Sequence, residues 1–478
     1  MKKQLQASQG QQHVIQFGKD RHGSSCFCFI CLQKKKFEAP SNLVDRFVDG
    51  NVVLFAGAGI STESRNVISN TFYEEIQHSL NDGAKGRSFP DLMEAYCQSP
   101  AGRIGMLEKL RRRLDYIYSH ESLYNEATRF HRELATFFPV DTIVTTNWDN
   151  YFESECGATP FVDDKDIALW GAANRKVLKL HGTIANLGSI VATRSDYNRC
   201  ARWMKSGVLG GHLKSLLATR TTVFIGYSLT DDDFLQVYRA VKRYLAMFHR
   251  QAYFVAPQIS PEDRVRLTKL GLHLIETDGQ FFISEIKNYA REKRCILRDE
   301  VFIDIANLLA EVEEAHHWLH DRFNASATPQ ILISSWYQDG LVHALERILR
   351  ARRTGGSSDL RRLRWIAHSY AHFARRFRSD RKFDDAAYCE GYSNGYMAAC
   401  IFNDSGARVK PPLYFHFGYQ GRSRTHYAAT VRKLPELHQR AYSFTRKLMS
   451  KVPKDSNVVF HHFAKLDLSK YTSDDAYE

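Results

Sequence analysis

Residues 51–62, NVVLFAGAGIST, decide how this chain folds. Val52 to Phe55 form an unbroken apolar run, the mark of a parallel strand buried on both faces, and Gly57-Ala58-Gly59 reads as the tight turn after it. Glycine there lets the backbone approach a pyrophosphate, whose charge then sits by the N-terminus of a following helix. The stretch reads either as a nucleotide-binding turn or as a plain structural turn. The third glycine of a G-x-G-x-x-G is replaced by Thr62, and no acidic residue closes an obvious second strand.

Outward from that stretch the pattern repeats. NLVDRFV is a short amphipathic helix feeding the first strand, and residues 72–80 read as helical. Residues 105–138 hold two helices, one lined by Met106, Leu107, Leu110 and Leu114, the other by Ala127, Phe130, Leu134 and Phe138. Both are expected as an insertion beside the sheet. DTIVTTNWDNYFE and TTVFIGYSLTDDDF read as strand, loop and helix, RKVLKLHGTI as strand and loop, and AYFVAP and LHLIET as two more strands. Strands separated by helices predict an α/β fold, a Rossmann-like parallel sheet with helices on both faces and ligand groups at the carboxyl ends of the strands. The polar clusters stand at those ends: GAGIS follows VVLFA, TTNWD follows TIV, HGT follows VLKL and GYS follows TVFI.

Beyond about residue 300 the strand signal gives way to helices. One is expected over 301–319, one over 341–350 with Leu341, Leu345, Ile348 and Leu349 on a face, and one around Ile366, Tyr370, Phe373 and Phe377. Residues 341–382 carry twelve Arg and Lys against three Asp and Glu, so this half supplies most of the net charge of +13. GYSNGYMAACIFND and VKPPLYFHFGYQGRSR show no period that assigns them. The organisation expected is an N-terminal extension over 1–40, an α/β domain over 41–293, and a mainly helical basic domain over 300–478.

A chain of 478 residues with 44% hydrophobic and 25% charged residues is globular and long enough for two or three cores. A pI of about 9.2 permits a polyanionic partner without establishing one. Nine cysteines, an odd number without regular spacing, fit a reducing compartment. With no apolar leader core and no apolar run approaching about 18 residues, a cytoplasmic location with no membrane contact is expected. Cys26, Cys28 and Cys31, with His22, could hold zinc, though structural zinc sites normally come as two separated pairs; the other reading is a small buried strand.

Taken together, Gly57-Ala58-Gly59-Ile60-Ser61, Thr146-Asn147-Trp148-Asp149, Lys179-Leu180-His181-Gly182 and Gly226-Tyr227-Ser228-Leu229 resemble the NAD-binding core of the sirtuin family, in order and over about residues 42–289. TTNWDNYFE and FIGYSLTDDDF are similar to the sirtuin-like branch of bacterial antiphage defence, which hydrolyses NAD. The resemblance implies that NAD+ is the substrate, that the Gly57 to Ser61 turn cradles its pyrophosphate, and that Thr146, Gly226 and Ser228 belong to the same nucleotide site, with Ser228 on the adenosine side. It implies that Asn147 bonds the nicotinamide ribose or the attacking water, that Asp149 reads the carboxamide, and that His181 acts as general base, a role suited to an imidazole of pKa about 6.5. No metal is expected in this site.

Each residue has a structural reading too. His181 could cap a strand end, Asn147 could make an Asx turn, Asp149 could cap the helix NYFES, and Ser228 could cap the helix after it, with Asp231 to Asp233 as first-turn acids. Two departures from the family bear on the reaction. The zinc module of two cysteine pairs that deacylases carry between HG and GxS is missing, since Gly182 to Gly226 contains only Cys200; the Pro- and Arg-containing segment after GAGIS is replaced by TESRNVISNTFYEEI. Water, not an acyl-lysine, is therefore the expected nucleophile. The reading that follows is an NAD+ hydrolase and abortive-infection effector whose C-terminal domain senses infection, binds a defence-system partner or holds a homo-oligomer. Its arginines are either a solvated helix face or a surface for nucleic acid, where Trp365, Tyr370 and Phe373 would stack on single strands. The alternatives are a nucleotide-sensing scaffold and an NAD-dependent protein deacylase.

Overall fold

The computed structural model describes residues 32–61, 64, 67–80, 86–227, 232–293, 296–324, 327–352, 357–404, 409–451 and 461–462, without the side chains of 232–237. Thr62, Ser228, Asp231 and the Cys26, Cys28, Cys31 group with His22 lie outside the described residues, as do the side chains of Asp232 and Asp233. The chain divides into two compact units, one comprising chiefly Asp20–Ile296 and the other chiefly the residues from Leu297 onward.

The first unit is built on a seven-stranded, wholly parallel sheet in the order β3-β4-β2-β1-β5-β6-β7. The strands are β1 (Val52–Ala56), β2 (Thr142–Thr145), β3 (Thr159–Phe161), β4 (Lys176–Lys179), β5 (Thr221–Ile225), β6 (Ala252–Ala256) and β7 (Leu272–Glu276). All were expected except β3, a three-residue edge strand centred on Pro160. Alternate side chains go to opposite faces, and both faces are covered. Val52, Leu54, Ile143, Val177 and Val223 pack under the helices Ser41–Val48, Arg129–Ala135 and Gly279–Glu292. Val53, Phe55, Val144, Leu178 and Phe224 pack under Arg194–Ser206, Val208–Thr219 and Pro261–Leu270. That is why these strands carry consecutive apolar residues instead of alternating ones.

Two expectations change. Phe130 and Leu134 belong to the main core against Ile143 and Phe282, so their helix is part of the sheet's cover and not of an insertion. The insertion is instead Phe72–Ser79, Phe89–Cys97 and Gly102–Ser119, whose Phe72, Ile76, Leu92, Met106 and Leu110 form a separate small core. Within the stretch read as an N-terminal extension, Phe37 packs on Phe281 and Phe282, and the Gln33 carbonyl accepts the Asp278 N–H.

In the second unit the helices Glu300–Arg322, Ile331–Ala351, Leu360–Ser379 and Phe383–Asn403 surround one core. The unassigned GYSNGYMAACIFND is the end of the central helix Phe383–Asn403, and VKPPLYFHFGYQGRSR contains an antiparallel hairpin, Tyr414–His416 with Tyr419–Gly421. Glycines let the second and fourth of these helices touch: a Cβ on Gly391 would lie 1.9 Å from the Tyr337 carbonyl oxygen, and one on Gly340 2.1 Å from that of Tyr388. Of the three aromatics set among the arginines, Tyr370 stacks on Tyr392 at 4.2 Å and Phe373 packs against the core; Trp365 is exposed. No helix among the described residues is long and apolar enough to cross a membrane.

Candidate active site

β1 has β2 on one side and β5 on the other, and the chain builds the sheet outward in both directions from it. Such a switch point leaves a crevice at the carboxyl ends of the central strands, where α/β proteins bind ligands. Here the turns after β1 and β5 meet backbone to backbone. The N–H of Gly57 donates to the Ile225 carbonyl at 2.9 Å and that of Gly59 to the Gly226 carbonyl at 3.0 Å. A Cβ on Gly57 would fall 2.4 Å from the Gly226 oxygen, and one on Gly226, at φ +58°, 2.4 Å from Ile60 Cγ2. These glycines are therefore required by the contact between two loops, whatever ligand they meet. The chain then makes a 3₁₀ turn over Ala58–Ile60.

The crevice opens into a cavity of about 960 Å³, at the upper end of the range for ligand pockets. Gly57, Ala58, Gly59, Thr146 and Gly226 line it, and so do Asn147, Asp149 and His181. Ile60 and Ser61, expected with the turn to hold a ligand, do not line it. Ile60 is packed under Gly226 and against the main core, and Ser61 is fully buried.

Ser61 has a different place. Its hydroxyl donates to Asp149 Oδ2 at 3.0 Å and accepts from Asn147 Nδ2 at 3.2 Å. The same Nδ2 reaches the Gly57 carbonyl at 3.3 Å, and the Asn147 backbone N–H donates to Thr145 Oγ1, whose own proton goes to the Ala56 carbonyl. Asn147 thus bridges loops and makes no Asx turn. Its Oδ1 is buried with no hydrogen-bond partner, a costly state for a polar atom that a ligand donor would relieve. Asp149 Oδ1 accepts the Tyr151 N–H at 3.3 Å, which supports the start of the helix Tyr151–Cys156. Burial pushes the Asp149 carboxyl up, opposed by Lys179 and the Ser61 hydroxyl. Lys179, fully buried at the end of β4, donates to the Asp149 carbonyl and pairs with Glu153 at 3.0 Å.

His181 follows β4 by two residues, and its ring lies 4.9 Å from that of Tyr197. The chain leaves it through Gly182, at φ +80°, where a Cβ would meet the Ser189 carbonyl oxygen at 2.1 Å. The His181 carbonyl accepts the Val191 N–H.

Opposite these loops the small insertion core supplies a wall that sequence reading missed. Trp148 packs on Phe72 and Phe89, each at 6.0 Å, and its indole N–H is buried without a partner. Arg87, Arg113 and Arg194 also line the cavity, so its walls favour an anionic ligand. Arg113 is held by the Asn70 carbonyl and Glu75, and Arg194 by both oxygens of Asp91, whose carboxyl it holds well below its ordinary value. Arg113 and Arg194 come from helices and Arg87 from the loop before Phe89–Cys97, and no motif marks them.

Residues 141–275 match the SIR2-like domain family. The similarity of this part of the chain is thus to SIR2-like domains. The match takes in β2 to β7; the glycine turn after β1 lies outside it and joins the domain through the sheet. The chain is also 25% identical over 296 residues to the NAD(+) hydrolase ThsA of Enterococcus faecium, covering 55% of this chain and 60% of that protein. It is 28% identical over 253 residues to the NAD(+) hydrolase ThsA of Cytobacillus dafuensis, covering 52% and 48%. With Defense-associated sirtuin 2 of Bacillus subtilis it shares 23% identity over 304 residues, 58% of this chain and 29% of that protein. The chain thus spans less than two thirds of the length of each of these relatives.

Proposed function

We propose that the chain is an NAD+ hydrolase that cleaves the bond between nicotinamide and ribose C1′, and that it serves antiphage defence as an abortive-infection effector. The observation that carries this reading is the convergence of Asn147, Asp149 and His181 with the glycine turn on one arginine-walled cavity at the sheet's switch point. Relatives named as NAD(+) hydrolases and as a defence-associated sirtuin support it.

In this reading the Gly57 to Gly59 turn and the cavity arginines hold the pyrophosphate, and Thr146, Gly226 and Ser228 complete the nucleotide site. Water bonds to C1′ as the C1′–N bond breaks; the bonding pair leaves on nicotinamide, and the water proton passes to His181. Asn147 Oδ1 accepts from the water or a ribose hydroxyl. Asp149, whose two oxygens each keep a lone pair beyond Ser61 and Tyr151, accepts from the carboxamide. Positive charge grows on the ribose as the bond breaks, and fixed dipoles around it lower the barrier. Cys200, the single cysteine between Gly182 and Gly226, is buried with its thiol 3.5 Å from the Leu180 carbonyl, which supports water over an acyl-lysine as acceptor.

The test is nicotinamide release by the full-length chain beside His181→Ala and Asn147→Ala, with thermal melting to check folding. Both variants are expected to fold, His181→Ala melting as the native chain does and Asn147→Ala lower because it loses the buried bonds to Ser61 and Gly57, and both to lose turnover by about 100-fold or more. Native rates in either folded variant would remove the site assignment. For the defence role, cells expressing the chain are expected to lose NAD+ after phage infection, and His181→Ala cells to keep it.

A further inference from the structure

The helical unit contains a group of imidazoles and carboxylates that the proposed reaction does not use. Gln338 fixes its chemistry. The Gln338 amide nitrogen donates to the Leu413 carbonyl at 2.6 Å, so its oxygen is the atom facing His316 Nδ1, at 3.1 Å. An amide oxygen only accepts, so Nδ1 carries a proton, and in the neutral ring Nε2 carries a lone pair. That Nε2 is buried, has no hydrogen-bond partner, and stands 3.9 Å from Asp339 Oδ1. Two acceptors therefore face each other with no proton between them.

A third group completes the arrangement. His461 Nδ1 lies 3.1 Å from the same Asp339 oxygen, and the His461 and His316 rings stack at 5.5 Å. The other Asp339 oxygen is occupied by the His462 backbone N–H at 2.8 Å, which turns Oδ1 toward the two imidazoles. His316 Nε2, Asp339 Oδ1 and His461 Nδ1 all lie within 4.8 Å of one another. Ligands bonded to one tetrahedral ion at about 2.0–2.2 Å stand about 3.3–3.5 Å apart, so small side-chain shifts close the set.

We propose that His316, Asp339 and His461 bind one divalent transition-metal ion of the Zn2+ type. Two imidazoles and one carboxylate are a known zinc ligand pattern, with the fourth position taken by water. His461, about half exposed, leaves that position open to solvent. The Gln338 contact is the outer hydrogen bond that such sites use to fix the ligand tautomer. The ion ties the helices Glu300–Arg322 and Ile331–Ala351 to residues 461–462. No motif marks the site, because its ligands are scattered along the sequence.

The test is Zn2+ retained by the full-length chain after loading with ZnCl2 and dialysis, counted by mass spectrometry. Native protein, His316→Gln and His461→Gln are compared, each checked by circular dichroism. A chain with Cys26, Cys28 and Cys31 changed to serine separates thiolate binding from this site. The expected result is one ion per chain that the triple-serine chain keeps and both folded histidine variants lose. His461→Gln keeps the test sound if His316→Gln fails to fold, because His461 lies at the surface. No retained ion in the native chain, retention by the folded histidine variants, or loss of all metal from the triple-serine chain would each overturn the proposal.

Discussion

Ser61 Oγ donates to Asp149 Oδ2 across 3.0 Å, out of contact with solvent, and in the same position receives Asn147 Nδ2. A residue from the glycine turn therefore sets the two side chains that follow β2. Ser61→Ala leaves a buried acceptor and a buried donor without their shared partner. It is expected to cost about 1–3 kcal/mol of stability and to lower the rate of nicotinamide release more than the affinity for NAD+. Denaturant titration and steady-state kinetics check this; an unchanged rate would remove Ser61 as a positioning residue.

The touching turns make a steric prediction. Gly57→Ala puts a methyl group 2.4 Å from the Gly226 oxygen and 2.6 Å from Tyr227 Cα, and backbone cannot yield as a side-chain tip does. A loss of about 1–3 kcal/mol with loss of activity is expected. Gly102→Ala is the comparison: its φ of +61° strains an alanine, as the −106° of Gly57 does not, but the added carbon meets nothing within 4 Å, so it should keep activity.

His131 supplies the pH dependence of the sheet unit. Its ring is buried among Phe130, Tyr151 and Phe152, and burial, with Lys179 adding to it, lowers its pKa from 6.5 to about 3. Below pH 6.5 the unfolded chain takes up a proton that the folded chain refuses, so stability falls as pH drops through the window from 6.5 to about 3. Between pH 7 and pH 5 this contribution is about 2 kcal/mol. His131→Phe should match the native chain at pH 7 within about 1 kcal/mol and exceed it at pH 5. Calorimetry at the two pH values checks the difference; an equal pH response in both chains would refute it.

Gly391→Ala tests the helical unit. The added carbon would sit 1.9 Å from the Tyr337 carbonyl oxygen and 3.0 Å from the Leu341 nitrogen, so the helices Ile331–Ala351 and Phe383–Asn403 must part. Loss of the unit's cooperative unfolding transition is expected, at a cost of about 3 kcal/mol or more. A transition at the native temperature would show that the helices do not pack this closely.

The strands of the sheet were legible because each is an apolar run that stops at a polar loop, and a fully buried parallel strand needs nothing else. β3 was not, being three residues long with Pro160 at its centre. The first turns of Ile331–Ala351 carry Ser334, Ser335, Gln338 and Asp339 in buried positions, so the helical period that sequence reading seeks is absent there. Gly391 and Gly395, in the stretch that showed no assignable period, are contact points between helices. At the site, Asn147, Asp149 and His181 announce themselves by following strands. Ser61 was assigned to the ligand although it lies beneath the wall, since sequence gives the order of a loop but not its depth. Arg87, Arg113 and Trp148's partners Phe72 and Phe89 come from the insertion and its loops, and Arg194 from the start of the helix Arg194–Ser206; only folding brings them to the cavity.

The most direct test is a time course of nicotinamide and ADP-ribose formed from NAD+ by the purified full-length chain, with and without single-stranded DNA or phage lysate. The account predicts both products in equal amounts, dependent on His181, in at least one of these conditions. No release under any of them, or release that His181→Ala leaves unchanged, would contradict it.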